Sequence, residues 1–134
     1  MIVVDTNVLV PVWFRSERTP LCEALVRKDP AWAAPRLWLS EFRNVAVEQV
    51  RKGRVSPEDA EKIVESAVGL IGARTFDVPS VNVLRRAISS RCTAYDSEYV
   101  VLAEELAVPL VTSDRQILRA FPQIAVSLED AVRA

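Results

Sequence analysis

The sequence contains no histidine. That absence removes serine–histidine and cysteine–histidine catalysis and takes away the usual ligands of catalytic zinc. Cysteine is almost as scarce. Cys22 and Cys92 form no CxxC pattern, and a domain of this size needs no disulfide, so both read as small buried hydrophobes. With only 3 glycines, 8 prolines and no low-complexity tract, the chain is neither a collagen-like repeat nor a disordered polymer. No apolar run reaches the roughly 18 residues of a membrane span, because Asp5, Arg15, Glu23, Glu41 and their successors interrupt each one. Residues 1–14 lack the basic start of a signal peptide and carry Asp5 inside their apolar segment, which implies a cytoplasmic protein. Lysine is limited to Lys28, Lys52 and Lys62 among 17 basic residues, and the arginines that make up the rest suit bidentate contact with phosphate or carboxylate.

What is present is a 134-residue chain that is half hydrophobic, with a net charge of -1 that by itself names no partner. One domain over residues 1–134 follows, with a single core. Ile2, Val3 and Val4 form a β-branched run without alternation, the mark of a strand covered on both faces. Asp5 ends it, and residues 8–14 read as a first short helix behind the capping types Thr6 and Asn7. Thr19-Pro20 opens a second helix with threonine as cap, ending near Lys28, and residues 31–34 form a short strand stopped by Pro35. Helices follow over 36–52, ended by Gly53, and from Ser56-Pro57-Glu58-Asp59 to about Gly72. A strand at 74–78, helices at 81–90 and 95–107, an apolar strand at 109–112, a helix at 115–121 and a last strand at 124–126 complete the pattern. Strands separated by helices imply a three-layer α/β/α sandwich with a central, mainly parallel sheet. Ligands of such sheets sit beyond the carboxyl ends of the strands.

Two apolar strands end in carboxylates at that edge, Asp5 after Val4 and Asp114 after Thr112-Ser113. Each could simply cap the helix that follows. Two acids on helices add to them. With Tyr95 at zero on a helical wheel, Asp96 falls at about 100°, inside the stripe of Tyr99, Val100, Leu102, Ala103, Leu106 and Ala107. Ala103 and Ala107 are small enough to leave it a cleft, while Glu98, Glu104 and Glu105 fall on the solvated face. Glu41 flanks the stripe of Trp38, Phe42, Val45 and Ala46, where it either looks into a groove or snorkels to water. Two carboxylates at about 5 Å repel by roughly 3 kcal/mol in an effective dielectric near 20, so gathering Asp5, Glu41, Asp96 and Asp114 requires bound protons or a divalent cation. Oxygen-only ligands favour Mg2+ or Mn2+, which suits metal-assisted phosphodiester hydrolysis.

Val3-Val4-Asp5-Thr6-Asn7, Ser40-Glu41-Phe42, Thr93-Ala94-Tyr95-Asp96 and Val111-Thr112-Ser113-Asp114-Arg115, in that order over essentially the whole chain, resemble the PIN domain and specifically its VapC-like toxin ribonucleases. The resemblance implies an Mg2+- or Mn2+-dependent endoribonuclease with Asp5, Glu41, Asp96 and Asp114 as the acidic set, Asp5, Asp96 and Asp114 at the metal, and Thr6, Asn7 and Ser113 as polar supports. It also implies a homodimer and a VapB-type antitoxin that wraps the toxin. Some members carry a further acid two positions after the fourth, where this chain has Gln116, so at least one ion is implied and a second is left open. Arg43, Arg115 and Arg119 are candidate RNA contacts by helix position, with solvated ion pairs as the alternative. Trp13, Phe14 and Trp38 read as core, with a partner surface as the alternative. A phosphotransfer domain fits poorly, since Asp5-Thr6-Asn7 lacks a paired DxD and no lysine follows an apolar strand. An inactive PIN-like domain that binds RNA or acts as a scaffold is the remaining alternative.

Overall fold

In the computed structural model, which describes residues 1–134, β1 (Ile2–Val4) lies at the centre of a five-stranded sheet of order β3-β2-β1-β4-β5. Its neighbours are β2 (Trp32–Pro35) and β4 (Leu110–Thr112), flanked in turn by β3 (Thr75–Phe76) and β5 (Ala125–Ser127). Every pairing is parallel, with Val3 against Ala33 on one side and Leu110 on the other. All residues of β1, β2 and β4 are buried, as their apolar runs require, with Thr112 the one polar side chain among them.

Helices α2 (Thr19–Lys28), α3 (Leu37–Arg51), α4 (Pro57–Ile71), α5 (Ser80–Ser89) and α6 (Ala94–Leu106) supply most of the cover, with α3 packed on α4 and α5 on α6. Gly53 leaves α3 with a φ of 71°, the left-handed conformation glycine adopts without strain. Phe42 on α3 gathers the rings of Trp13, Phe14 and Trp38 at centroid distances of 5.8, 5.7 and 5.9 Å. Phe14 and Trp38 are therefore core, while Trp13 is half-buried and donates from Nε1 to Ser66 Oγ at 3.0 Å.

Several boundaries differ from the sequence reading. The first helix begins earlier and is shorter: α1 spans Thr6–Leu9 and passes into a 3-10 turn at Val10–Val12, because Asp5 caps it directly and Pro11 has no N–H to continue it. Thr19 does not cap α2 but begins it. Its hydroxyl donates to the Pro11 carbonyl at 2.6 Å and accepts from Ser16 N at 3.0 Å, tying down the preceding loop. The strand expected at 74–78 is only two residues long, because Arg74 still belongs to a 3-10 turn over Gly72–Arg74, its side chain donating to the carbonyls of Leu70 and Trp32. After α7 (Arg115–Ala120) and β5 there is one further helix, α8 (Leu128–Arg133), which packs on α2. Ser127 caps it by accepting from Asp130 N at 3.1 Å, with Glu129 and Asp130 in its first turn. No helix is long and apolar enough to cross a membrane.

Candidate active site

The strand order reverses at β1. From there the chain builds β2 and β3 on one side, then crosses to lay β4 and β5 on the other, so the crevice between the carboxyl ends of β1 and β4 is the switch point of the sheet. Asp5 leaves β1 into that crevice and Asp114 follows β4. The two strand ends are bonded across it, with Asp5 N donating to Val111 O at 3.0 Å.

Asp5 is held from several directions. Its Oδ1 accepts from Thr6 N at 2.8 Å, and its Oδ2 accepts from Thr112 Oγ1 at 2.8 Å and from Asn7 Nδ2 at 3.4 Å. The Thr112 hydroxyl in turn accepts from Asp114 N at 3.0 Å, so one buried side chain orients both strand-end aspartates. Asn7 Oδ1 accepts from Ser113 N at 3.1 Å and closes the bridge between the strands. Asp114 Oδ1 accepts from Gln116 N at 2.8 Å and Ile117 N at 3.3 Å. It caps α7 and sits at the sheet edge at once; the two roles are compatible.

Glu41, on α3, faces inward. Its Oε1 accepts from Thr6 Oγ1 at 2.8 Å and from the hydroxyl of the buried Tyr99, which lies 2.7 Å from the same threonine oxygen. Sequence reasoning found Thr6 but assigned no role to Tyr99 or Thr112. The signal for both is a polar atom on an otherwise apolar, buried element.

Asp96 lies in the first turn of α6, its N–H donating to Thr93 Oγ1 at 3.0 Å. Two features of α6 differ from the helical-wheel reading. Tyr95, the zero of the wheel, is 63% exposed, and Ala107 lies about 16 Å farther along the axis than Asp96, so it opens no cleft there. What faces Asp96 toward the crevice is its position at the helix start. Glu98 was assigned to the solvated face, yet it is half-buried and within the field of Glu41.

Electrostatics ties the four acids together. Burial pushes the Asp5 carboxyl up to about 6, against the hydrogen bonds from Thr112 and Thr6, and the charges of Glu41 and Asp96 push it the same way. Asp96 is raised chiefly by burial and further by Asp114, with Thr93 opposing. Glu98 is raised by burial and by Glu41, and the Tyr99 hydroxyl far above its ordinary range by burial and the same glutamate. None of the four acids takes part in an ion pair.

The described chain matches the family model of the PIN domain over residues 2–122. The chain belongs to the PIN-domain family. It is similar to Ribonuclease VapC3 of Pyrobaculum aerophilum, with 25% identity over 126 residues that cover 92% of this chain and 96% of the relative. Among solved structures, the crystal structure of PAE2754 from Pyrobaculum aerophilum shares the fold with a TM-score of 0.77 and 23% identity, covering 98% of this chain and 93% of that one. A toxin-antitoxin complex from Klebsiella pneumoniae matches with a TM-score of 0.65 and 16% identity, over 96% of this chain and 98% of that one. FitAcB from Neisseria gonorrhoeae matches at 0.68 and 15%, over 96% and 99%.

The PIN-domain edge can be tested against a divalent ion by its donors. They are carboxylate and hydroxyl oxygens, gathered without a cation, and no three acidic or thiol side chains are grouped to hold an ion by themselves. Such a set does not suit a closed cage of the zinc type. It fits an ion that is bound through one or two carboxylates and keeps much of its water, as Mg2+ does.

The expected RNA contacts divide. Arg115 and Arg119 are exposed on α7 beside Asp114 and enter no ion pair. Arg43 is not brought to the acids: two residues on from Glu41, it is turned to the other side of α3 and lines the groove against α4. The arginine that touches the edge is Arg18, whose Nη2 donates to Ser113 Oγ at 2.8 Å and to Glu129 Oε1 at 3.0 Å. The Ser113 side chain is thereby turned to Arg18, and only its backbone joins the bridge to Asn7.

Proposed function

We propose that this PIN domain is the toxin of a VapBC-type pair, an Mg2+- or Mn2+-dependent endoribonuclease that hydrolyses RNA phosphodiester bonds. The observation that carries the proposal is that Asp5 feels the charges of Glu41 and Asp96, and Asp96 that of Asp114, while none of the four acids forms an ion pair. The name of Ribonuclease VapC3 and the toxin-antitoxin complex among the structural neighbours support it. On this reading the chain works in the cytoplasm as a homodimer, and a VapB-type antitoxin silences it.

Asp5, Asp96 and Asp114 would hold the ion between them, one or two of the carboxylates directly and the rest through its retained water. When bound, it supplies a nucleophilic water at neutral pH and offsets negative charge on the scissile phosphate. Glu41, with Oε1 engaged by Thr6 and Tyr99, keeps Oε2 free to orient that water and take its proton. Thr112 and Asn7 fix the strand-end acids, and Arg115 and Arg119 engage flanking phosphates. Arg43, on the far side of α3, would touch only RNA that wraps around that helix.

Cleavage of total RNA tests the reading. Wild type with Mg2+ is expected to cut and with chelator to be silent, while Asp5→Asn and Asp96→Asn lose activity by about a hundredfold or more with unchanged circular dichroism. Expression should arrest bacterial growth, and Asp96→Asn should relieve the arrest. Cleavage that survives both substitutions would remove these carboxylates from the chemistry. A second reading, a catalytically inactive RNA-binding or scaffold domain, draws on the absence of a ready-made cage and on the capping duties of Asp5 and Asp114. It predicts RNA binding with no cleavage under any divalent ion.

A further inference from the structure

We propose that a slot beside Glu98 receives a guanine base of the RNA, and that Glu98 is the residue that selects it. The proposal rests on the nuclease reading for the polymer and adds the base. The slot, about 340 Å3, is lined by Arg36, which follows β2, and by Phe76, which closes β3. It therefore opens on the same edge of the sheet as Asp5 and Asp114, displaced toward β3. Glu98 links the two places, because it lines the slot and feels the charge of Glu41.

The lining chooses among the parts of a nucleotide. Phe76, Val78 and Leu84 give it apolar walls suited to a flat heterocycle. Its half-buried charge is the Glu98 carboxylate, which repels phosphate. That carboxylate has no donor and no cation from the protein, whereas the other acid of the slot, Asp77, is paired with Arg36 at 2.8 Å. The Glu98 oxygens, engaged by no protein donor, are open to a ligand that brings donors in place of water.

Among the four RNA bases, guanine alone presents two adjacent donors, N1–H and N2–H, spaced to meet both oxygens of one carboxylate. Adenine and cytosine set an acceptor nitrogen beside their amino group, which would face the carboxylate lone pairs. Uracil offers one N–H between two carbonyls. Arg36 spends only Nε and Nη2 on Asp77, so it retains guanidinium N–H groups of the kind the guanine O6 accepts.

Fluorescence anisotropy tests this without any need for turnover. The probes are labelled hexauridylate and the same hexamer carrying one guanine, adenine or cytosine, in the presence of EDTA. The guanine hexamer should bind wild type about tenfold more tightly than the others, the discrimination a bidentate base contact gives. Glu98→Gln should bring it down to the level of hexauridylate. Equal binding of the four hexamers by wild type overturns the proposal, as does a guanine preference that survives in Glu98→Gln. Mapping of cut sites with Mg2+ separates it from the nuclease reading. A guanine preference in binding with no cleavage sinks that reading alone, and cleavage with no such preference sinks this one alone.

Discussion

Glu104 sits against Arg86, Asp77 against Arg36, Asp130 against Arg133 and Glu129 against Arg18, while Asp5, Glu41, Asp96 and Asp114 around the crevice between β1 and β4 form no ion pair. The first group is exposed, and pairs of that kind contribute little, because water already screens them. In the second group the burial of Asp5 and Asp96 disfavours their charged forms. With its carboxyl pushed up to about 6, an ionised Asp5 lowers the stability of the fold at neutral pH by about 3 kcal/mol. The ion pairs thus form where water already satisfies the charge, and none forms at Asp5, where burial makes the charge costly.

The contrast can be broken in four ways. Without divalent ions at pH 7.5, Asp5→Asn should raise the free energy of unfolding by about 1–3 kcal/mol in urea titrations, the reverse of a typical core substitution. The gain should shrink as pH falls through about 6 and vanish near 4, where both folded and unfolded wild type carry the proton. A gain independent of pH would mean that burial of the charge is not its source. Next, Mg2+ at about a hundred times its dissociation constant should stabilise wild type by about 2.7 kcal/mol and leave the melting temperature of Asp5→Asn almost unmoved. Third, Thr112→Val removes a hydroxyl that donates to Asp5 and accepts from Asp114 N, and should cost about 1–2 kcal/mol at neutral pH. The Asp5 carboxyl should rise further by NMR titration, since a hydrogen bond that favours its anion is gone. Smallest of all, Glu104→Gln should cost less than about 1 kcal/mol, and still less in high salt.

The sequence made the strands and their carboxylates legible because both rest on short-range rules, a β-branched run and the residue that ends it. The start of α4 was readable for the same reason, from Ser56, Pro57 and two acids. The missed α8 carries a comparable signal in Ser127 and Asp130, hidden by its six-residue length, too short for a period to register. A helical wheel says little about Asp96 on α6. That helix buries Ser97, Tyr99, Val100, Val101, Leu102 and Ala103, so it has hardly any polar side from which to measure a stripe. Glu98 was lost by the same measurement. Tyr99 and Thr112 act through partners 58 and 107 residues away, and no local pattern reports such contacts.

The strand order also imposes a schedule. β1 is the first strand made, but the neighbour that completes its crevice, β4, comes only after Val108 and Pro109, late in synthesis. A nascent chain therefore leaves the ribosome with half a crevice, and the edge at Asp5 gains its second wall only once β4 can pair with β1.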